Sequence, residues 1–188
     1  MPPLWATVRP RRDRRRTAGT FEIVSDIEAR VRDALAASGQ PYELLDCDPD
    51  FADTAAFCER YGVAMEDSAN AIVVIGKSTP PRYVCCVVLA TTRLDVNGLV
   101  RSRLGTRKAS FASAADTEAL TGMMIGGVTP FALPPDLPIW IDERVMARES
   151  VVVGGGSRSL KVRVAPALLA GLPNAEVVEG LALEPAGA

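Results

Sequence analysis

The apolar positions of this chain alternate between two periods, and the changes between them mark helices and strands. Ile23, Ile27, Val31, Ala34 and Leu35 recur at steps of three and four residues and are followed by Gly39. That spacing predicts an amphipathic helix with a glycine stop. Tyr42 to Leu45 fits a short strand. A second short helix is expected over Ala55 to Tyr61, capped by Asp53 or Thr54 and ended at Gly62. Ala71 to Ile75 and Tyr83 to Ala90 are Val- and Ile-rich runs joined by Gly76-Lys77-Ser78-Thr79-Pro80-Pro81. Continuous apolar runs around a turn-forming segment predict a hairpin at the centre of a sheet.

Further along, Val96, Leu99, Val100 and Leu104 share one side of an expected helix over Asp95 to Leu104. Ala109 to Phe111 fits a brief strand. Asp116 is placed to cap a helical turn that runs through Leu120 and stops near Gly122. Leu137 to Asp142 reads as a strand. Val151 to Val153, the Gly154-Gly155-Gly156 turn and alternating Leu160, Val162 and Val164 predict a final hairpin, and Pro166 begins a terminal helix reaching Leu172. Hairpins outnumber strand–helix–strand units. The expected fold is therefore one α+β domain, residues 21–183, built on a central mixed, mostly antiparallel sheet. Residues 1–20 and 184–188 are read as tails. A dinucleotide-binding fold is disfavoured because the glycine triplet precedes a strand instead of a helix.

Composition removes whole classes of chemistry. The 188 residues include no histidine, which excludes Ser-His-Asp and Cys-His mechanisms and histidine metal sites. Cys47, Cys58, Cys85 and Cys86 form no C-x-x-C pair, and two of them sit in an apolar run. They are expected to be buried reduced thiols, with no metal and no cofactor implied. Hydrophobic content is 48%, yet no apolar run approaches the roughly 20 residues of a membrane span, so a soluble, cytoplasmic protein is expected.

Charge is uneven. Residues 1–20 hold six arginines against Asp13, a net of +5 that leaves −7 on the remainder of a chain totalling −2. This segment is either an arm for RNA phosphates or a disordered extension. Arg101, Arg103, Arg107 and Lys108 form a basic cluster within the domain, either a solvated face or a contact for nucleic-acid phosphates. Asp142-Glu143 next to Arg144 reads as a surface charge cluster. Trp140 is expected in the core.

The segment Ile125-Gly126-Gly127-Val128-Thr129-Pro130-Phe131-Ala132-Leu133-Pro134 carries the candidate chemistry. Glycine permits a close backbone approach and proline holds the bend, so such a loop can present its own peptide groups to a ligand. Together with Ser68-Ala69-Asn70-Ala71-Ile72-Val73-Val74, Thr91-Thr92-Arg93-Leu94-Asp95-Val96 and the stretch from Val151 to Leu160, it resembles the YbaK/EbsC and prolyl-tRNA synthetase-associated domain family. The resemblance covers about residues 27–173.

That resemblance implies a barrel-like α+β sheet and hydrolysis, in trans, of the ester joining a wrong, small amino acid to the terminal adenosine of a tRNA, perhaps tRNA for proline. The G-x-x-x-P motif, here Gly126 to Pro130, would position ester and water through its backbone. Gly126 and Gly127 would be the catalytic positions. Asn70, Val128, Thr129, Pro130, Phe131 and Gly154 would bind substrate, with Thr129 alternatively capping the loop. Aminoacylated tRNA would be the partner, its acceptor stem meeting Arg101, Arg103, Arg107 and Lys108 where these are not simply a solvated face, with an aminoacyl-tRNA synthetase a further one; the oligomeric state stays open.

Four positions depart from the family pattern. Its strand lysine falls at Asn70, a neighbouring hydroxyl at Ala71, a serine at Gly154 and an acidic residue at Lys161. The other reading that follows is a catalytically inactive member binding aminoacyl-tRNA, a synthetase or a small metabolite.

Overall fold

Two sheets meet edge to edge, and the strand pairings follow from which residues each strand buries. The computed structural model describes residues 21–184, with side chains from Asp26 onward. The arginine-rich extension and all but the first residue of the 184–188 tail lie outside the described residues. Helix α1 spans Phe21–Ala37, and Ile27, Val31 and Leu35 of its apolar stripe are buried. Strand β1 (Tyr42–Asp46) pairs antiparallel with β8 (Leu160–Val164), which pairs with β7 (Val151–Gly154), giving a three-stranded sheet. The larger sheet has the order β5 (Ala109–Phe111), β2 (Ala69–Gly76), β3 (Arg82–Leu89), β6 (Ile139–Asp142) and β9 (Ala175–Val178).

The β5–β2–β3 half is antiparallel, whereas β3–β6 and β6–β9 are parallel. A parallel bridge between Ser68 and Val152 joins the two sheets along β2 and β7. The result is the expected mixed, barrel-like α+β sheet, left open. Short β4 (Arg93–Leu94) and β10 (Ala182–Leu183) pair separately.

Strand β3 explains its unbroken apolar run, because both faces are covered. Cys85, Val87 and Leu89 pack with Val31, Leu35, Ile139, Ile141, Val153, Val162 and Phe131. Val84, Cys86 and Val88 pack on the other side with Trp140, Leu94, Val96, Val100 and Leu104. Alternation would be required only if one face met water. Cutting a fully buried side chain such as Ile141 to alanine costs roughly 2–5 kcal/mol.

Helix α2 (Thr54–Tyr61) ends at Gly62 with φ +68, as expected, but the Asp53 side chain makes no cap bond. α3 (Arg101–Arg103) continues a wider turn over Val96–Val100, whose start is held by Asp95 accepting from Gly98 and Leu99 N–H. α4 (Ala114–Thr121) is capped by Ser113, not Asp116: the Ser113 Oγ accepts from Asp116 N at 3.0 Å.

Two further helices complete the chain. α5 (Glu143–Met146) follows β6 without a break, and α6 (Pro166–Ala170) starts on its proline. Asp142 is a second correction. It is fully buried and caps α5, accepting from Arg144 N at 3.0 Å and from Ala182 N at 2.8 Å. Among the described residues, no helix is long and apolar enough to cross a membrane.

Candidate active site

The glycine-proline loop runs between α4 and β6 and lies against the β7–β8 hairpin. Gly127 N donates to Met124 O at 3.0 Å, closing a tight turn at Gly126, whose φ is +89. A side chain is disfavoured there by conformation, whereas the nearest atom to an added Cβ, Arg158 Nη1, ends a flexible side chain that can give way. At Gly127 the added Cβ would sit 2.5 Å from the Ser157 carbonyl carbon, and at Gly154 it would overlap the Val128 carbonyl oxygen. Loop and hairpin thus touch backbone to backbone.

Successive carbonyls make that contact. Gly126 O accepts from Lys161 Nζ at 3.0 Å, Gly127 O accepts from Gly156 N at 2.8 Å, and Val128 O rests on Gly154. A trans peptide is planar with N–H opposite C=O. The Val128 N–H therefore points away from Gly156. Among the described residues, neither Gly126 N–H nor Val128 N–H donates to a protein acceptor. Behind the loop, Thr129, Pro130 and Phe131 are buried, and Phe131 belongs to the main core.

A cavity of about 390 Å³ opens between this loop, β2, α2 and the hairpin. That volume lies within the roughly 300–1,000 Å³ of small-molecule sites. Asn70 and Gly126 line the same cavity, with Thr54, Phe111, Ile125, Val128, Gly154 and Lys161. Thr54 Oγ1 donates to Asn70 Oδ1 at 2.6 Å, which occupies that oxygen and leaves the amide N–H groups of Asn70 to a ligand. Phe111 and Ile125 are more than half exposed and form an apolar rim.

Lys161 is 7% exposed. Its ammonium donates to Ala52 O at 2.6 Å as well as to Gly126 O, and lies 5.5 Å from the centre of the Phe57 ring. Burial lowers its pKa from 10.5, partly opposed by the neighbouring Cys47.

Residues 48–172, two thirds of the chain, match the family model described as the aminoacyl-tRNA editing domain. The chain belongs to the aminoacyl-tRNA editing domain family. It is 25% identical over 130 residues to the Enterococcus faecalis protein named "Putative Cys-tRNA(Pro)/Cys-tRNA(Cys) deacylase EbsC", covering 69% of this chain and 77% of that one. Over 94 residues it is 31% identical to the Escherichia coli "Multifunctional Ser/Thr-tRNA deacylase ProXp-y", covering 50% and 56%. Among solved structures, that of "hypothetical protein APE2540" superposes with a TM-score of 0.73 at 24% identity, covering 82% of this chain and 99% of the other. That of "a putative trans-editing enzyme for prolyl tRNA synthetase" gives 0.71 at 23%, covering 85% and 98%. At these identities the structural likeness is one of fold.

Against this editing-domain background, the structure divides the expected residues. Asn70, Gly126, Val128 and Gly154 lie on the cavity. Thr129, Pro130 and Phe131 do not; they anchor the loop from behind, and Thr129 Oγ1 accepts a long 3.5 Å bond from Phe131 N. Thr129 is thus buried off the cavity, beside the loop backbone. Gly127 serves as the contact with the hairpin. The basic cluster lies off the cavity: Arg103 pairs with Glu176 at 2.6 Å and covers Trp140, while Arg101, Arg107 and Lys108 are exposed.

Several site residues were not picked out from sequence. They are Thr54 and Phe111 on the cavity and Arg158 behind it, which bonds Pro49 O and Asp53, whereas Lys161 is legible only as a departure from the family pattern. The thiols are no nucleophiles. All four are buried, burial pushes Cys85 up to about 12, and Cys47, Cys58 and Cys86 are also raised chiefly by burial. Among the described residues, no group of three or more metal-ligating side chains is assembled.

Proposed function

We propose that this protein hydrolyses, in trans, the ester linking a small amino acid to the terminal adenosine of a mischarged tRNA. The observation that carries the reading is the single cavity shared by Asn70 and the Gly126–Val128 backbone. An aminoacyl ester is already activated, so catalysis needs orientation and stabilisation of the oxyanion more than a protein nucleophile. Water attacks the ester carbon, negative charge develops on the carbonyl oxygen, and the bond to the ribose oxygen breaks as that oxygen takes up a proton from the water, giving the free amino acid and a terminal hydroxyl. The unpaired Val128 N–H is a fixed donor suited to that oxygen.

Asn70, oriented by Thr54, holds the terminal nucleotide, and Phe111 with Ile125 flanks its base. The walls formed by Phe57, Ile72, Val152 and Val153 restrict the amino-acid side chain by volume. Exposed Arg101, Arg107 and Lys108 meet the acceptor stem. An aminoacyl-tRNA synthetase as physical partner is the finer part of the proposal, read by co-elution of the two proteins with tRNA.

Deacylation of a panel of tRNAs mischarged with alanine, serine, cysteine and threonine tests the reading. Turnover of at least one, abolished by Gly126→Ala, is expected. Retained tRNA binding without turnover of any would leave the non-catalytic binding protein instead.

A further inference from the structure

Charge is scarce in the cavity wall. Of the residues lining it, only Asp53 and Lys161 are charged. Asp53 is an exposed side chain, and its carboxylate is already paired with Arg158 at 3.2 Å. Lys161 is more than nine-tenths buried and has no carboxylate partner among the described residues. Burying an ammonium in this way is costly unless something compensates its charge. Two backbone carbonyls compensate in part, and they use two of its three N–H donors. The third has no protein acceptor among the described residues.

Of the groups facing Lys161 only the Asp53 carboxylate is an anion, and it attracts the ammonium from beyond contact distance, being exposed and paired with Arg158. Cys47, beyond β1, and Cys58, on α2, are thiols held neutral by burial, and Arg158 from the β7–β8 turn is itself a cation. The Phe57 ring favours a cation at this point without neutralising it. Across the hairpin Lys161 is registered with Gly154, which adds no side chain to that face. Asn70, on the other wall, offers hydrogen bonds but no charge.

We propose that Lys161 is the cation of this site, a residue that fixes the Gly126 carbonyl and directs its remaining N–H to a negatively charged oxygen of the ligand. The proposal rests on the deacylase reading for the ligand's identity. Two oxygens have the right chemistry: a phosphate oxygen of the terminal nucleotide, and the ester oxygen that becomes negative during hydrolysis.

The test uses the full chain, Lys161→Met and Lys161→Arg. The probes are 3′-alanylamino-3′-deoxyadenosine with and without a 5′-phosphate, titrated by calorimetry, alongside kcat and KM on mischarged tRNA. If the phosphate is the partner, the wild type prefers the phosphorylated probe and Lys161→Met erases that preference, weakening it roughly 10- to 100-fold, as befits a charged hydrogen bond. If the ester oxygen is the partner, kcat falls by a similar factor while KM and probe affinity stay within twofold. Either result supports the proposal, and Lys161→Arg retains more of the affected quantity than Lys161→Met.

A measurement on the unmodified protein guards against a variant that misfolds. The same quantity, corrected for uncatalysed hydrolysis, declines toward pH 10 as the buried lysine loses its proton, and a flat profile overturns the proposal. So does Lys161→Met with every constant within twofold of wild type, which leaves the deacylase reading standing. Probe binding without turnover of any mischarged tRNA sinks the deacylase reading, and the phosphate preference then decides Lys161. Neither binding nor turnover overturns both.

Discussion

Asp142 and Lys161 are both buried charges next to a strand end, and they are buried for different reasons. At the end of β6 every direction around Asp142 is filled: one oxygen takes Arg144 N–H, the other takes Ala182 N–H, and the Arg144 guanidinium lies 3.5 Å away. The carboxylate caps α5 and ties β10 to it, so its whole bonding capacity serves the fold. At the start of β8, Lys161 has two carbonyl partners, no carboxylate in contact among the described residues and a cavity beside it. A buried charge whose bonds are all met by protein is a staple. One with a donor left over and a cavity to aim at is a binding group. Had exposure alone been the guide, the two would have looked alike.

The comparison breaks first at Asp142. Asp142→Ala removes a helix cap and leaves Ala182 N–H and Arg144 without their acceptor, a loss of roughly 2–4 kcal/mol. Urea unfolding measures it. Affinity for the alanylamino-adenosine 5′-phosphate, per folded molecule, should stay within twofold. A drop in affinity without a drop in stability would reverse the roles assigned to the two charges.

Gly154→Ala is the next largest effect and acts on the Lys161 side. Its new methyl would overlap the Val128 carbonyl, so the loop must move. Overpacking of this kind costs about 1–3 kcal/mol. A loop displaced by about 1 Å also loses deacylation by up to roughly 100-fold, because the peptide groups no longer meet the ester. Thermal melting and single-turnover hydrolysis report the two parts separately. Loss of stability with full activity would mean that the loop backbone is not the working surface.

What the chain pattern reveals and what it hides follows the same division between local and distant contacts. The β2–β3 and β7–β8 hairpins, α1 and the start of α6 are written in nearby residues: apolar spacing, a turn segment, a glycine or proline at the boundary. The parallel pairings β3–β6 and β6–β9 join segments far apart in sequence. β9 reads weakly, as Ala-Glu-Val-Val with Val177 partly exposed, because it is an edge.

The site divides likewise. Gly126 and Asn70 are legible through a motif, and Gly154 through the triplet. Thr129, Pro130 and Phe131 lie in the same motif yet face the core, since alternate residues of a bent loop cannot all face one cavity. Lys161 was read only as a change of sign at its own position. Its value comes from Ala52 and Gly126, more than thirty residues away or further, and strand alternation tells the face on which a side chain lies, not what waits there. The one local hint was the glycine opposite it in the hairpin register.

The smallest effect is the most discriminating. Lys161→Met exchanges a buried ammonium for an apolar chain of similar length, losing two hydrogen bonds but also a desolvation cost, so at pH 7 stability should change by no more than about 1 kcal/mol. The pH dependence carries the information. The folded-state pKa of Lys161 lies below its unfolded value of 10.5. Below that lowered value both states are protonated and the penalty for the buried charge is fully present. Between the two values the unfolded chain binds more protons than the folded one, so the unfolding free energy rises with pH. The cysteines act oppositely, since thiols raised from 9.0 in the fold lose stability as the unfolded chain ionises. Subtracting the Lys161→Met curve removes most of that background. The wild-type-minus-variant difference should therefore climb toward pH 10.5, over the range in which ligand binding declines. Urea unfolding at half-unit steps measures it. A difference that stays flat or falls would mean that a counterion inside the protein already neutralises Lys161, and its charge would then be a staple like that of Asp142.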